Sequence, residues 1–421
     1  MKQKIIRFNG TNKNLFLDTE TGEWGIWNTL EEAQKNGLGK EVVKKRLCCE
    51  KIVPQMYTIH MTTLCNLKCK YCYANTSSNS HVISQEILER LVQLIRRESE
   101  EKEIICVNFH GGEPLLGFTE IKYIVRQLKE LSIKIIYNIQ TNGTLITDEI
   151  ASFFKTNKFV VGISWDGNQE LNDKMRVTAN SKGSFRQLVK GVEKLEKYGV
   201  EYSILSVVSD MDQIENIYEY FLHKKIKSLK FIMMMQMGRA TNLDVNICQK
   251  EYALKEYEVF VKNLDNFKNG KTYLNLTNIN MILRKMILYD DSYMCMRRPC
   301  GAGVELIAID EKGDIYPCDC YIGSSEMKIC NIKEINTISQ LKRYSAYKKV
   351  TKIEESRECK GCDYRNICCG GCQADIYGMS KTFGEPSMQC IYYKNLLPLL
   401  YELLVKEFET LIKYLRTCKI L

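Results

Sequence analysis

Between residues 57 and 235 short β-prone runs alternate with amphipathic helical stretches. That order of elements restricts the fold more than any other feature of the chain. The β-prone runs cover 57–62, 104–109, 133–140, 159–165, 202–208 and 229–235. Ser84 opens a helix whose apolar residues Ile87, Leu91, Leu94 and Ile95 recur at helical spacing. Further helices are predicted over 119–131, 148–156, 184–198 and 213–224. Strand–helix–strand repeats build a parallel sheet with right-handed crossovers. Six strands are too few for a closed eightfold barrel. The expectation is an α/β fold, a partial (β/α)6 TIM-like barrel over 53–238. A small α+β segment (1–52) precedes it. A helical bridging region (239–292), a cysteine-rich, loop-dominated domain (293–395) and a terminal helix (396–421) follow.

In the first segment, Leu15-Phe16-Leu17 and Trp24-Gly25-Ile26-Trp27 flank a Gly-containing turn and predict a β-hairpin. A helix from Glu31 to Arg46, interrupted near Gly37 and Gly39, is predicted after it.

The chain holds 19 cysteines in 421 residues. A short secreted chain with that load would be a disulfide framework. This chain is long, and Met1-Lys2-Gln3-Lys4-Ile5-Ile6-Arg7 leads into no signal-peptide apolar region. Cysteines in CxxC-like groups then point to thiolates holding metal in a reducing, cytoplasmic setting. No stretch approaches a membrane span. The net charge of +9, from 60 basic and 51 acidic residues, is spread along the chain without basic clusters interleaved with aromatics. This argues against a nucleic-acid binder and leaves an acidic peptide partner open.

Cys65, Cys69 and Cys72 stand as Cys-x-x-x-Cys-x-x-Cys in the loop after the first barrel strand, the edge where α/β sheets bind ligands. Three thiolates can hold three irons of a four-iron cluster and leave the fourth iron open for catalysis. A zinc knuckle lacking one ligand, or plain buried cysteines, would show the same spacing.

With Tyr71 before the last cysteine and Tyr73 after it, this motif resembles the radical S-adenosylmethionine (SAM) superfamily. Gly111-Gly112-Glu113-Pro114 after the second strand resembles that family's GGEP loop, which holds the SAM amino group. Glycines permit close backbone approach, and a carboxylate suits an ammonium. Gln140-Thr141-Asn142-Gly143 ends the third strand and Ser164-x-Asp166-Gly167 the fourth, with Arg176 following. The resemblance implies SAM contacts from Tyr73, Gly111, Gly112, Glu113, Gln140, Asn142, Ser164 and Arg176.

A second field begins at Cys300, continues through Gly313 and Cys318, then Cys359-x-x-Cys362, Cys368 and Cys372, and closes at Cys390. It resembles the SPASM domain of peptide-modifying radical SAM enzymes, with Cys295 available as an eighth ligand. The resemblance implies auxiliary cluster I on Cys295, Cys300, Cys318 and Cys372, and auxiliary cluster II on Cys359, Cys362, Cys368 and Cys390. The expected cofactors are three 4Fe-4S clusters and SAM. Four-thiolate sites alone would equally suit zinc. Cys48, Cys49, Cys106, Cys248, Cys320, Cys330, Cys369 and Cys418 stay unassigned. Cys106 is expected to be packing, and Cys320 and Cys369 lie next to proposed ligands.

By resemblance, reductive SAM cleavage yields a 5′-deoxyadenosyl radical that takes hydrogen from a peptide or protein. Two substrates compete. One is a ribosomal precursor peptide with a leader, crosslinked through a cysteine thioether or through carbon–carbon bonds. The other is a sulfatase polypeptide whose Cys or Ser becomes formylglycine. Asp319, in Tyr316-Pro317-Cys318-Asp319, resembles the base of sulfatase-maturing enzymes, and a turn Asp would look the same. Residues 1–52 resemble part of a leader-recognition element offering a strand edge, which favours the precursor peptide. A flavodoxin or ferredoxin is the expected reductant. An iron–sulfur electron carrier is the alternative outside enzymology, and it would need neither Glu113 nor an open three-cysteine site.

Overall fold

The computed structural model describes residues 3–7, 14–18, 23–36, 55–74, 81–100, 102–234, 237–244, 247–288, 293–298, 300–351 and 356–421. Strands β1 (Gln3–Arg7), β2 (Asn14–Asp18) and β3 (Trp24–Trp27) form an antiparallel sheet in the order β1-β2-β3. The hairpin expected from the sequence is β2–β3, with Leu15 opposite Ile26. Helix α1 (Leu30–Lys35) follows, capped by Thr29, whose hydroxyl accepts from Glu32 N at 3.1 Å. The rest of the helix expected up to Arg46 lies outside the described residues, as do Cys48 and Cys49.

Six parallel strands make the body: β4 (Met56–His60), β5 (Ile104–His110), β6 (Lys134–Thr141), β7 (Val160–Ser164), β8 (Tyr202–Val208) and β9 (Ser228–Met233). Helices α2 (Gln85–Ser99), α3 (Phe118–Leu128), α4 (Asp148–Thr156), α5 (Gln169–Met175), α6 (Phe185–Lys197) and α7 (Ile214–His223) lie between them. Helix α2 shows why such segments fold: Ser84 caps it, Glu86 sits in the first turn and Arg96 and Arg97 in the last, matching the helix dipole. Its Ile87, Leu91 and Ile95 are buried. The partial-barrel expectation holds, and the sheet is wider than six strands. β10 (Asn275–Leu276) joins β9, and β11 (Leu306–Ile309) joins β4 in parallel. The antiparallel β12 (Asp314–Tyr316) and β13 (Cys330–Asn331) complete ten strands. The cysteine-rich region thus continues the barrel's own sheet.

Alternation splits the strands into two faces. Tyr57, Ile59, Val107, Phe109, Ile139, Val161 and Ile163 are buried in the main core. Thr58, His60, Cys106, Asn108, His110, Asn138, Gln140 and Ser164 take the other face, the barrel lumen. They bond sideways: Asn108 Nδ2 donates to Thr58 Oγ1 at 3.3 Å, Asn138 Nδ2 to Cys106 Sγ at 3.0 Å and Gln140 Nε2 to Ser164 Oγ at 2.9 Å. Cys106 therefore faces this polar interior and not the packed core.

Helices α8 (Gln249–Lys268) and α9 (Thr277–Leu288) occupy the bridging region. Short helices α10 (Ser345–Thr351), α11 (Arg357–Lys360), α12 (Arg365–Cys368) and α13 (Gln373–Ser380) lead to α14 (Cys390–Thr417). Helix α14 starts before the expected residue 396 and runs through Pro398. Tyr414 on α14 ties the three long helices together. Its hydroxyl donates to Leu274 O at 2.7 Å and accepts from Asn263 Nδ2 at 3.1 Å and Asn280 Nδ2 at 3.2 Å.

Glu256 on α8 is buried, and its Oε2 accepts from Tyr392 OH at 2.7 Å. Burial pushes its carboxyl up to about 7, whereas an unfolded glutamate titrates near ~4.3. The folded state holds this proton longer than the unfolded state, so stability falls as pH rises through that window. Glu256→Gln should remove a loss of about 3 kcal/mol between about pH 4.5 and pH 7. Denaturation midpoints of both proteins across that range check this.

Candidate functional site

The Cys65–Cys72 loop leaves the C-terminal end of β4 and is held from three sides. Leu67 bridges Thr178, Lys68 N donates to Val177 O at 2.6 Å and Lys70 N to Met175 O at 2.9 Å. Asn142 Nδ2 donates to Asn66 Oδ1 at 2.9 Å and lies 4.0 Å from Cys65 Sγ. Arg239 N donates to Cys72 O and Arg239 Nε to Cys69 O, each at 2.9 Å. Gly238 has φ +56°, and a Cβ there would strike Cys72 O. The sequence offered a signal for this last clamp in the Gly238-Arg239 pair after β9, which the motif reading passed over.

Below the loop lies a buried ionic centre. Tyr71 OH donates to Asp166 Oδ2, and Arg176 NH1 donates to Tyr71 OH. Arg176 NH1 is 3.9 Å from Asp166 Oδ1, with side chains 8% and 4% exposed. Asp166 Oδ1 also accepts from Val207 N at 3.0 Å. Arg176 is thus placed beside the cluster loop, where it pairs with Asp166 and Tyr71.

Gly111 has φ +129°, and Cβ atoms on Gly111 or Gly112 would strike Thr62 O or Leu64 O. Glycine is required here by close packing against the first strand's loop. Gly112 N donates to Thr62 O at 2.8 Å and Glu113 N to Leu64 O at 2.9 Å. Glu113 is buried, and burial pushes its carboxyl up. Its Oε1 accepts from Thr141 Oγ1 at 2.6 Å and Leu115 N at 3.2 Å, and its Oε2 from Asn142 N at 2.8 Å. A carboxylate has about four acceptor positions, so one remains for an ammonium. Ser164 and Gln140 meet on the lumen face.

The donor set fits an iron–sulfur cluster. Cys65, Cys69 and Cys72 are free thiols within one short loop. Burial pushes Cys65 up to about 12, so its thiolate needs a metal to form at neutral pH.

Cys318 has Cys372 and Cys300 as electrostatic neighbours, and Cys300 stands beside Cys295. Cys368 neighbours Cys390 and Cys359, and Cys390 neighbours Cys362. Cys300 and Cys368 also both neighbour Cys369, which lies outside the two sets named in the sequence. Cys320 joins the first group, its ligand atom within 4.8 Å of those of Cys318 and Asp319. Cys369 adopts φ +56°, and its Sγ lies 3.1 Å from Nζ of the buried Lys285. Asp319 reaches back to the barrel: its charge acts on His110, at the end of β5, and on Tyr73.

The family model of the radical SAM superfamily matches residues 59–221. A cysteine-type anaerobic sulfatase-maturating enzyme of Clostridium novyi is 31% identical over 363 residues, 80% of this chain and 94% of that protein. The chain is a member of the radical SAM superfamily, in the family of the anaerobic sulfatase-maturating enzymes. Native anSMEcpe with bound AdoMet superposes with a TM-score of 0.71 at 25% identity, covering 86% of this chain and 99% of that one. Streptococcus suis SuiB bound to precursor peptide SuiA shares the fold, with a TM-score of 0.62 at 16% identity, covering 90% and 96%. This radical SAM protein is an enzyme acting on a protein or peptide substrate, and it requires a 4Fe-4S cluster and SAM. Among the described residues no helix is long and apolar enough to cross a membrane.

Proposed function

We propose that this radical SAM enzyme matures a ribosomal precursor peptide by closing a cysteine thioether. The observation that carries this is the N-terminal sheet. Among the described residues β1 and β3 each pair on one side only, with β2 between them. The sheet is anchored to the catalytic body: Trp24 Nε1 donates to Met286 O at 2.6 Å, and the Trp24 ring meets Tyr401 edge-on at 6.1 Å. An extended leader can add as a fourth strand to such an edge.

Cys65, Cys69 and Cys72 would hold the catalytic cluster, and Gly111, Gly112, Glu113, Gln140, Asn142, Ser164 and Tyr73 would surround SAM. Together these cofactors supply a 5′-deoxyadenosyl radical when bound. Cys295, Cys300, Cys318 and Cys372, and separately Cys359, Cys362, Cys368 and Cys390, would hold two auxiliary clusters. A flavodoxin or ferredoxin would be the reductant. The chain's own residues orient the peptide, exclude water from the polar lumen and take up the proton leaving its thiol. Asp319, from the cysteine-rich region, would be the base that takes it.

Asp319 also favours a second reading, oxidation of a sulfatase Cys or Ser to formylglycine. Hydrogen exchange of the intact enzyme with its candidate precursor peptide tests the first. Slowed exchange in residues 3–7 and 24–27 on peptide binding is expected. Tight peptide binding without protection there contradicts leader docking and favours the sulfatase substrate.

A further inference from the structure

We propose that Tyr321 donates its hydroxyl hydrogen to a sulfur of the cluster held by Cys300, Cys318 and Cys372, and so raises the reduction potential of that site. This rests on the reading that those thiols, with Cys295, hold an auxiliary cluster. Tyr321 closes the turn Asp319–Tyr321, and its N donates to Cys318 O at 3.1 Å. Its ring lies 6.0 Å from that of Tyr377 on α13, the helix that Cys372 caps. Tyr321 and Cys318 belong to one apolar cluster with Ala302, Tyr316 and Tyr377, and Cys300 and Cys372 pack against it. The turn and the helix thus bring one phenol and three thiols into a single small core. After burial itself, Cys318, Cys372 and Cys300 are the groups that act most on this phenol, and they hold it protonated.

Tyr321 is 3% exposed, and its hydroxyl has no hydrogen-bond partner among the described residues. The other two phenols of this core are satisfied. Tyr377 OH donates to Glu326 Oε2, and Tyr316 OH accepts from the Gly323 backbone. Buried polar atoms in native proteins almost always have partners, so the Tyr321 hydroxyl marks where a bound group completes the site. A neutral thiol is a weak acceptor, and the hydroxyl stays unspent beside free cysteines. Metal-bound sulfur carries negative charge and accepts well. Hydrogen bonds to cluster sulfurs are among the levers that set reduction potential. A donor offsets the charge added on reduction, so the shift is upward.

The test compares reconstituted full-length enzyme with its Tyr321→Phe variant, which keeps the ring and loses the donor. Both should hold about twelve irons per chain, as three four-iron clusters require. In potentiometric EPR titrations one cluster should shift downward in the variant. At a fixed potential its reduced-to-oxidised ratio should fall about tenfold, a shift of ~59 mV. Cys372→Ala should lose that signal, which assigns it. Tyr377→Phe, which removes the neighbouring phenol, should leave every potential unchanged. In D2O, pulsed EPR of the reduced wild type should show one strongly coupled deuteron that Tyr321→Phe lacks. Equal potentials at equal iron content overturn the assignment, because water would then satisfy the hydroxyl. A shift in a signal that Cys372→Ala retains also overturns it. Absence of the coupled deuteron from the wild type does so even if the variant takes up less iron. A wild type holding about four irons, with zinc on the remaining thiols, overturns the auxiliary-cluster reading instead, and the metal count shows that failure before any potential is measured.

Discussion

Asp166→Ala should destabilise the enzyme by about 3–5 kcal/mol, the range for stripping one partner from a buried ion pair. Asp166 is the only carboxylate shown against the Arg176 guanidinium among the described residues, and it also accepts from Tyr71 OH and Val207 N. The alanine variant leaves Arg176 buried without its ion-pair partner, with only the more distant Glu113 carboxylate acting on it. Because Tyr71 lies between Cys69 and Cys72, the same change frees the loop that would bind the cluster. Iron content after anaerobic reconstitution should fall with stability. Asp166→Asn keeps an acceptor for Val207 N and should fall between the two. Urea denaturation of the three proteins decides this, and a loss below about 1 kcal/mol for alanine would mean that water already solvates the pair.

Asp319→Asn is expected to uncouple the enzyme. The fold should persist, since Asp319 is half-buried in a short turn after β12. SAM cleavage should continue, because the three-cysteine loop and the Gly111–Glu113 loop belong to other strands. Product formation should drop by ~10²–10³, the usual scale for losing a positioned acid–base group. Parallel quantification of 5′-deoxyadenosine and modified peptide checks it. Equal loss of both would place Asp319 in SAM binding. No loss of either would make it a turn residue.

The barrel was legible because its strands are apolar on one face and its helices carry regular caps and stripes. All six expected strands appear within a few residues of their places. Strands β10 to β13 escaped because two to four residues are too few for any periodicity. Helix α5 escaped because only Leu171 and Met175 are apolar in it. The cluster loop and the glycine cradle were legible from spacing. The Asp166–Tyr71–Arg176 centre was not, since it joins residues that are 95 and 105 positions apart. The stacked rings of His60 and His110 hid in plain alternation: a polar residue every second position marks a solvated face until the barrel closes over it. Cys106 was misplaced for the same reason, its thiol facing Asn138 in the lumen.

The most direct test is mass spectrometry of a cysteine-containing precursor peptide after anaerobic incubation with reconstituted enzyme, reductant and SAM. The account predicts loss of two hydrogens, a cysteine that no longer reacts with iodoacetamide, and 5′-deoxyadenosine formed alongside. A peptide that keeps its mass and its reactive thiol while 5′-deoxyadenosine accumulates, or one that instead gains an aldehyde, would contradict thioether formation.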